Sequence, residues 1–268
     1  MSVAPAGLSG KPDNAPPMAA DVVTEDRLLG GRVALVQPTH GYRVGIDPVL
    51  LAAAVPAKSG DRVLDLGAGA GAAALCLAAR ISGVAVVGLE ADRELVRLAC
   101  AGAERSTLAD RVLFCTGDIM DAPLILKPKS FDHVMANPPF LAKGAGRLPE
   151  NPGKAAATVE SHAALEDWIR IAAVMVRPGG TVTLIHRADR LNAVLSSLAG
   201  RLGAVTIYPL WPHPSRPAKR VLIAARNGSA APLRLLPGLV LHENGAFSAK
   251  ADAVLRHAHQ ISLADSRC

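Results

Sequence analysis

Three alternate glycines follow an acidic residue at the end of a short apolar run, in the segment Asp65-Leu66-Gly67-Ala68-Gly69-Ala70-Gly71. Glycine has no Cβ, so this segment can turn sharply and lie directly against a bound molecule. The alanine-rich residues that follow predict a helix whose first free N–H groups face the same turn. The pattern is typical of a strand, a ligand-binding turn and a helix in an α/β sheet. The alternative is a glycine-rich turn with a solvated aspartate.

A second acidic residue, Glu90, ends the next apolar run, Ala85–Leu89. At the end of a strand, a carboxylate can accept hydrogen bonds from both hydroxyls of a ribose. The dinucleotide fingerprint requires the spacing G-x-G-x-x-G, whereas this chain has glycines at 67, 69 and 71. The spacing disfavours an NAD-dependent oxidoreductase and leaves other nucleoside-containing cofactors open.

A third group of residues, Asn137-Pro138-Pro139-Phe140, follows the apolar run 131–136. Asn137 offers an amide oxygen, the two prolines fix φ and remove backbone donors, and Phe140 offers an aromatic face. Acceptors beside an aromatic ring suit a planar group with N–H donors, such as an exocyclic amine or a carboxamide. The alternative is that Asn-Pro-Pro only forms a rigid turn.

The elements that must position these residues alternate regularly from Arg62 onward, which predicts a parallel sheet covered by helices. Strands are expected at 62–66, 85–89, 112–116, 131–136 and 181–185, and helices at about 71–80, 92–105, 162–176 and 188–201. Two further strands, 204–210 and 220–225, should pair antiparallel, because the proline-rich connection between them cannot hold a crossover helix.

The ends of the chain complete the predicted fold. Gly30-Gly31 between two apolar runs predicts a β-hairpin, and Asp47 before Pro48 is a candidate helix cap. The fold class is therefore α/β, with a Rossmann-like, seven-stranded, mostly parallel sheet, an antiparallel C-terminal strand pair and an N-terminal β-hairpin. We expect a disordered tail at 1–20 and a single domain at 21–268, made of a hairpin and helix (24–57), a core (58–226) and an extension (227–268).

The composition of the chain indicates its cellular environment and the kinds of partner it could bind. The 268 residues carry a net charge of +6, which allows a polyanionic partner but does not require one. The cysteines have no metal-ligand spacing, so we expect no metal site, a reducing cytoplasm, and burial of Cys76, Cys100 and Cys115 as small apolar residues, with Cys268 in an exposed tail. We predict neither a membrane span nor a secretory signal.

Together, these motifs resemble those of a known enzyme family. The glycine segment, Glu90, Gly117-Asp118-Ile119 and Asn137-Pro138-Pro139-Phe140 resemble the class I S-adenosylmethionine-dependent methyltransferases of the amino-methylating N-P-P-[FY] group. Within that group, the segments 42–51 and 217–222 are similar to bacterial tRNA1(Val) adenine-N6 methyltransferases. The similarity extends over roughly residues 24–250.

The resemblance implies S-adenosyl-L-methionine as the cofactor and a role for each matching residue. The cofactor would be bound by Asp47, Asp65, Gly67, Gly69, Gly71, Glu90, Asp118 and Asn137, with the glycines under the methionine moiety, Glu90 at the ribose and Asp118 at the adenine amine. Asn137, Pro138, Pro139 and Phe140 would be the catalytic residues that hold the target amine and stack on its ring. No metal takes part.

The resemblance also implies tRNA as the partner, since an unpaired loop base can be splayed out into such a site. Candidate phosphate ligands are Lys143, Arg147, Lys154, Arg216, Lys219 and Arg220, each of which is otherwise an ordinary solvated charge. The alternatives are a protein-glutamine N5 methyltransferase, a DNA adenine methyltransferase and a non-catalytic RNA-binding module. Only about 40 residues precede the core, which disfavours the glutamine-modifying type because those enzymes carry a helical N-terminal domain.

Overall fold

A computed structural model describes residues 23–40, 43–140 and 163–263. The predicted tail at 1–20 lies outside these residues, as do Cys268 and the candidate phosphate ligands Lys143, Arg147 and Lys154.

The first element of the described chain is a β-hairpin. Strand β1 (Val23–Leu28) pairs antiparallel with β2 (Val33–Pro38), and a short 3-10 turn that contains Gly30 and Gly31 joins them. The two-glycine signal therefore predicted the hairpin correctly. The hairpin is separate from the central sheet, and β2 contributes buried residues to the core.

The central sheet contains nine strands. They are β3 (Arg62–Leu66), β4 (Ala85–Glu90), β5 (Val112–Thr116), β6 (Phe131–Ala136), β7 (Val176–Arg187), β8 (Gly203–Trp211), β9 (Arg220–Arg226), β10 (Arg234–Leu235) and β11 (Leu239–Val240). Their order is β10-β8-β9-β7-β6-β3-β4-β5, and β11 also pairs with β8. Strand β9 runs antiparallel to both of its neighbours, and the other pairs are parallel.

The seven long strands, including the antiparallel pair β8–β9, agree with the predicted fold class. The extension adds the two-residue strands β10 and β11. The apolar run Leu239-Val240-Leu241 predicts a short strand, which β11 confirms, whereas β10 was too short to be predicted from apolar periodicity. It also forms a small separate hairpin, β12 (His242–Glu243) with β13 (Ala246–Phe247). Strand β7 is longer than predicted, because it begins at Val176, which already pairs with Phe131.

Helices cover both faces of the sheet. They are α1 (Asp47–Ala54), α2 (Ala72–Arg80), α3 (Arg93–Arg105), α4 (Ala122–Ile125), α5 (Leu165–Met175), α6 (Leu191–Leu198) and α7 (Ala249–His257). The predicted helix at 188–201 is shorter than expected, since a 3-10 turn at Ala188–Arg190 precedes α6. None of the helices in the described ranges has the length and apolarity to cross a membrane.

The core lies in two layers, one on each side of the sheet. Helices α1, α2 and α7 pack on the face that presents Val63, Met135 and Ile185, and helices α5 and α6 pack on the face that presents Leu64 and Val134. All residues of α1 from 48 to 54 are buried, as expected for a helix that is apolar on every side. The start of α1 is therefore held firmly against the sheet, which fixes the position of Asp47.

The cysteine prediction needs one correction. Cys76 is buried in α2 and Cys115 is partly buried, but Cys100 is exposed. In α3 the buried residues are Leu98, Ala99, Gly102 and Ala103, so Cys100 falls on the solvent side of an amphipathic helix. All three thiols are free.

Candidate active site

A cavity of about 400 Å³ lies at the carboxyl edge of the sheet, where β3, β4 and β6 end. It is bounded by most of the residues that the sequence singled out, namely Asp65, Gly67, Gly69, Glu90, Asp118, Asn137, Pro138, Pro139 and Phe140. Asp47 and Gly71 are not among the lining residues. The three sequence motifs therefore meet in one site, as expected for the carboxyl ends of parallel strands.

The glycines of the turn divide into two structural roles. All three have positive φ, which is +68° at Gly67, +55° at Gly69 and +85° at Gly71. A Cβ would lie 2.4 Å from Trp168 at Gly67 and 2.7 Å from Phe114 at Gly71, so these two positions allow close packing of the turn. A Cβ at Gly69 would meet nothing within 4 Å. Gly69 is therefore the glycine that leaves space for a ligand.

Glu90 is held in place by two backbone donors. Its Oε2 accepts from the N–H of Gly69 at 2.8 Å, and its Oε1 accepts from the N–H of Asp92 at 3.0 Å. Each carboxylate oxygen keeps a further lone pair for another donor. The side chain is thus fixed at the cavity wall with acceptor capacity for two hydroxyl groups.

Asp118 is positioned by the turn that follows it. Its Oδ1 accepts from the backbone N–H of Met120 at 2.9 Å, which caps the 3-10 turn Ile119–Asp121. The carboxylate lines the cavity and can accept a further hydrogen bond from a ligand. An amino group is a suitable donor for it.

Asp65 is a buried acid with unused hydrogen-bonding capacity. It is only 2% exposed, and its Oδ2 has no partner among the described residues. Burial raises the pKa of Asp65, the backbone N–H of Ala74 partly opposes this effect, and the nearby charge of Glu90 adds to it, so that the pKa is about 8. An anionic Asp65 is therefore costly in the free protein, and a cationic ligand in the cavity would stabilise it.

Asn137 presents a second unused acceptor. Its side chain lines the cavity, and its Oδ1 is buried with no partner in the described parts of the chain. Leaving such a group unpaired costs about 1–3 kcal/mol. A ligand with an N–H donor at this point would recover that free energy.

Phe140 is supported by residues that do not line the cavity. Its ring makes an edge contact with His186 at a centroid distance of 5.6 Å, and the guanidinium carbon of Arg220 lies 4.5 Å from its centroid. Arg220 Nε donates to Asp47 Oδ2 at 2.9 Å. Burial, aided by the charge of Arg190, lowers the pKa of His186 to about 4, so this imidazole is neutral near pH 7.

The structure changes the interpretation of Asp47 and Arg220. Asp47 is the first residue of α1 but makes no capping hydrogen bond, because its carboxylate is turned toward Arg220. The predicted cap is therefore wrong, and the cofactor role of Asp47 gains no support, since other residues form the cavity wall. Arg220 contacts Phe140, whereas Arg216 and Lys219 are exposed in the β8–β9 connection, which fits both phosphate ligands and ordinary solvated charges.

Trp168 is the site residue that the sequence analysis missed. Its helical spacing with other apolar residues of α5 predicted only a core position, and it is indeed 8% exposed. It nevertheless lines the cavity, and its indole Nε1 is buried with no partner among the described residues. No signal in the periodicity distinguishes such a position from ordinary core.

The ranges 23–40, 43–140 and 163–263 contain no group of three or more His, Cys, Asp or Glu residues placed to hold a metal ion. The carboxylates of the cavity are instead bonded to backbone donors or left without a partner.

Comparison with known proteins identifies the family. A model of the methyltransferase small domain family matches residues 43–206. The chain belongs to this family. The matched region includes α1, the glycine turn, Glu90, Asp118 and Asn137 through Phe140, so it contains the whole set of motifs around the cavity. The prediction of a methyltransferase is thereby confirmed.

Curated relatives of this methyltransferase carry names that agree with the sequence resemblance. The chain is 34% identical over 207 residues to a tRNA1(Val) (adenine(37)-N6)-methyltransferase of Porphyromonas gingivalis, a match that covers 75% of this chain and 80% of the relative. It is 31% identical over 183 residues to the protein of the same name from Actinobacillus succinogenes, covering 68% and 75%.

A solved structure confirms the methyltransferase fold. A crystal structure described as a predicted O-methyltransferase from Agrobacterium tumefaciens has a TM-score of 0.68 and 27% sequence identity with this chain. The structural match covers 81% of this methyltransferase and 98% of the chain in that crystal structure. The α/β architecture expected from the sequence is therefore shared with that chain along nearly the whole length of that chain.

Proposed function

We propose that this methyltransferase transfers a methyl group from S-adenosyl-L-methionine to the exocyclic N6 amine of an adenine in tRNA. The observation that carries the proposal is the buried Oδ1 of Asn137, an acceptor without a partner in the described residues, in a cavity that Phe140 also lines. The names of the relatives from Porphyromonas gingivalis and Actinobacillus succinogenes favour adenine 37 as the target.

The residues of the cavity fit the cofactor. S-adenosyl-L-methionine supplies an activated methyl group on a positively charged sulfonium sulfur. Glu90 would accept from the ribose hydroxyls, Asp118 from the adenine amine, and the unpartnered Oδ2 of Asp65 from the ammonium group. The open space at Gly69 accommodates the methionine portion.

The residues after β6 fit an amine as the methyl acceptor. An amine conjugated to a heterocycle is a poor nucleophile, because its lone pair is delocalised into the ring. Two acceptors at its hydrogens, the Asn137 side chain and the Pro138 carbonyl, favour a pyramidal nitrogen with a localised lone pair. Phe140 would stack on the base, and the amine would lose its proton to solvent after methylation.

The partner proposed here is a tRNA whose target base is splayed out of its loop. Arg216 and Lys219 are exposed near the antiparallel pair and would contact phosphates. A carboxamide has the same N–H donors as the adenine amine, so a protein glutamine is the main competing substrate. Action on tRNA would place the protein in the cytoplasm.

The test is to incubate the protein with methyl-labelled S-adenosylmethionine and, separately, total tRNA, genomic DNA or ribosomal protein extract. The expected product is N6-methyladenosine in the nuclease digest of tRNA, and an Asn137→Ala variant serves as the negative control. Label on glutamine, on a hydroxyl oxygen or in DNA alone would refute the proposal.

A further inference from the structure

The indole of Trp168 sits directly over the first glycine of the turn. A Cβ at Gly67 would lie 2.4 Å from Cη2 of Trp168 and 2.8 Å from Cζ3, so the ring touches the backbone there. The side chain lines the cavity, and Nε1 is buried without a partner in the described part of the chain. A buried indole N–H normally finds an acceptor, so this donor is available to a ligand.

Gly67, on which Trp168 packs, leaves the sheet beside Asn137. Leu66 of β3 is paired with Ala136 of β6, so the next residues, Gly67 and Asn137, leave the two strands side by side. The indole packed on Gly67 and the side chain of Asn137 both line the cavity. One offers a buried donor and the other a buried acceptor, and they are not bonded to each other.

A donor and an acceptor on the wall of one cavity select for the complementary edge of a ligand. Adenine presents such an edge, because its N6 amine donates and the adjacent ring nitrogen, N7 or N1, accepts. Guanine presents two acceptors, O6 and N7, on the corresponding edge. The amide oxygen of Asn137 accepts only, so it would face guanine O6 without a donor between them.

We propose that Trp168 is a specificity-determining residue whose indole N–H donates to the ring nitrogen beside the target amine, while Asn137 accepts from that amine. This inference rests on the proposed function, since it assigns the reading of the adenine edge within the same cavity. The proposed contact to the ring nitrogen is made by a residue that lies outside all of the sequence motifs.

The experiment uses RNA stem-loops that carry adenosine, 7-deazaadenosine or 1-deazaadenosine at the methylated position. Each deaza base replaces one ring nitrogen by C–H and keeps the N6 amine. With the wild-type protein, one of the two analogues should lower kcat/KM about tenfold or more, since a lost base-edge contact costs that much discrimination. Sensitivity to 7-deaza would identify N7 as the acceptor, and sensitivity to 1-deaza would identify N1.

A Trp168→Phe variant assigns the effect to the indole N–H. It should lose about tenfold in kcat/KM with adenosine and show no further loss with the sensitive analogue, while its affinity for S-adenosylmethionine stays within twofold. The matched control is Trp211→Phe, because Trp211 Nε1 already donates to the Pro237 carbonyl at 3.1 Å. That variant should keep the wild-type response to the analogues.

Three results would overturn the inference. Wild-type turnover that differs by less than twofold among the three bases would show that no ring nitrogen is read, and this result needs no variant to fold. A Trp168→Phe protein that binds S-adenosylmethionine weakly but keeps the analogue response would assign the N–H to the cofactor. If the wild-type protein methylates no adenosine at all, the proposed function fails together with this inference.

Discussion

Arg220 lies over the ring of Phe140, with its guanidinium carbon 4.5 Å from the ring centroid. The same guanidinium is bonded to Asp47 at 2.9 Å, so the start of α1 and the start of β9 meet behind the aromatic residue of the proposed base site. Cation–π contacts of this kind contribute about 1–2 kcal/mol when partly desolvated. The pair therefore holds Phe140 in position.

Replacing Arg220 by Ala should lower kcat/KM for tRNA roughly tenfold and leave cofactor affinity unchanged, because Phe140 loses the contact that orients it. Asp47→Asn should have a smaller effect in the same direction. The control is Arg216→Ala, which removes an exposed charge from the same connection without touching Phe140. Equal losses in Arg216→Ala and Arg220→Ala that both disappear at low salt would indicate phosphate contacts instead.

Cofactor binding should depend on pH through Asp65. Its pKa of about 8 means that the carboxyl is largely protonated in the free protein at pH 7, whereas an ammonium ligand stabilises the carboxylate. Binding therefore releases up to one proton, and affinity for S-adenosylmethionine should rise as the pH is increased from 6 to about 8 and then level off.

Calorimetry in buffers of different ionisation enthalpy measures this proton release directly. An Asp65→Asn variant should bind more weakly and lose the release, since the amide does not titrate. Binding that releases no proton between pH 6 and 8 in the wild-type protein would show that Asp65 does not meet the cofactor's ammonium group.

Substitution of Gly69 should separate ligand binding from backbone strain. Alanine at Gly69 meets nothing within 4 Å but must adopt a φ near +55°, which costs about 1–2 kcal/mol of stability. Gly200 is a matched control, with a φ of +73°, no neighbour within 4 Å and a position outside the cavity. Both variants should lose similar stability in thermal melts, but only Gly69→Ala should bind the cofactor more weakly. Equal affinity in the two variants would place the ligand elsewhere.

Local patterns in the sequence were sufficient to predict the sheet and the location of the cavity. The glycine turn, Glu90 and Asn137 all follow apolar runs, and the carboxyl ends of parallel strands share one edge, so their meeting could be inferred without coordinates. The two-residue strand Arg234–Leu235 carries too little periodicity to be separated from a loop.

The contacts that complete the site depend on tertiary geometry. Arg220 and Asp47 are 173 positions apart, and nothing in either local pattern indicates the other. The position of Trp168 in the sequence fits the apolar face of a helix. Apolar periodicity indicates that such a side chain is buried, but it does not indicate which part of the backbone the side chain contacts. Its packing on Gly67 follows from the path of α5 over the turn.

The buried amide oxygen of Asn137 has no partner among the described residues and is proposed to accept a hydrogen bond from the target amine. Single-turnover methyl transfer to tRNA by Asn137→Ala, with cofactor affinity measured on the same sample, tests this directly. We expect affinity within about threefold of wild type and a transfer rate at least about 100-fold lower, as for other losses of a group that acts at the reacting atom. Wild-type transfer rates in the variant would contradict the account.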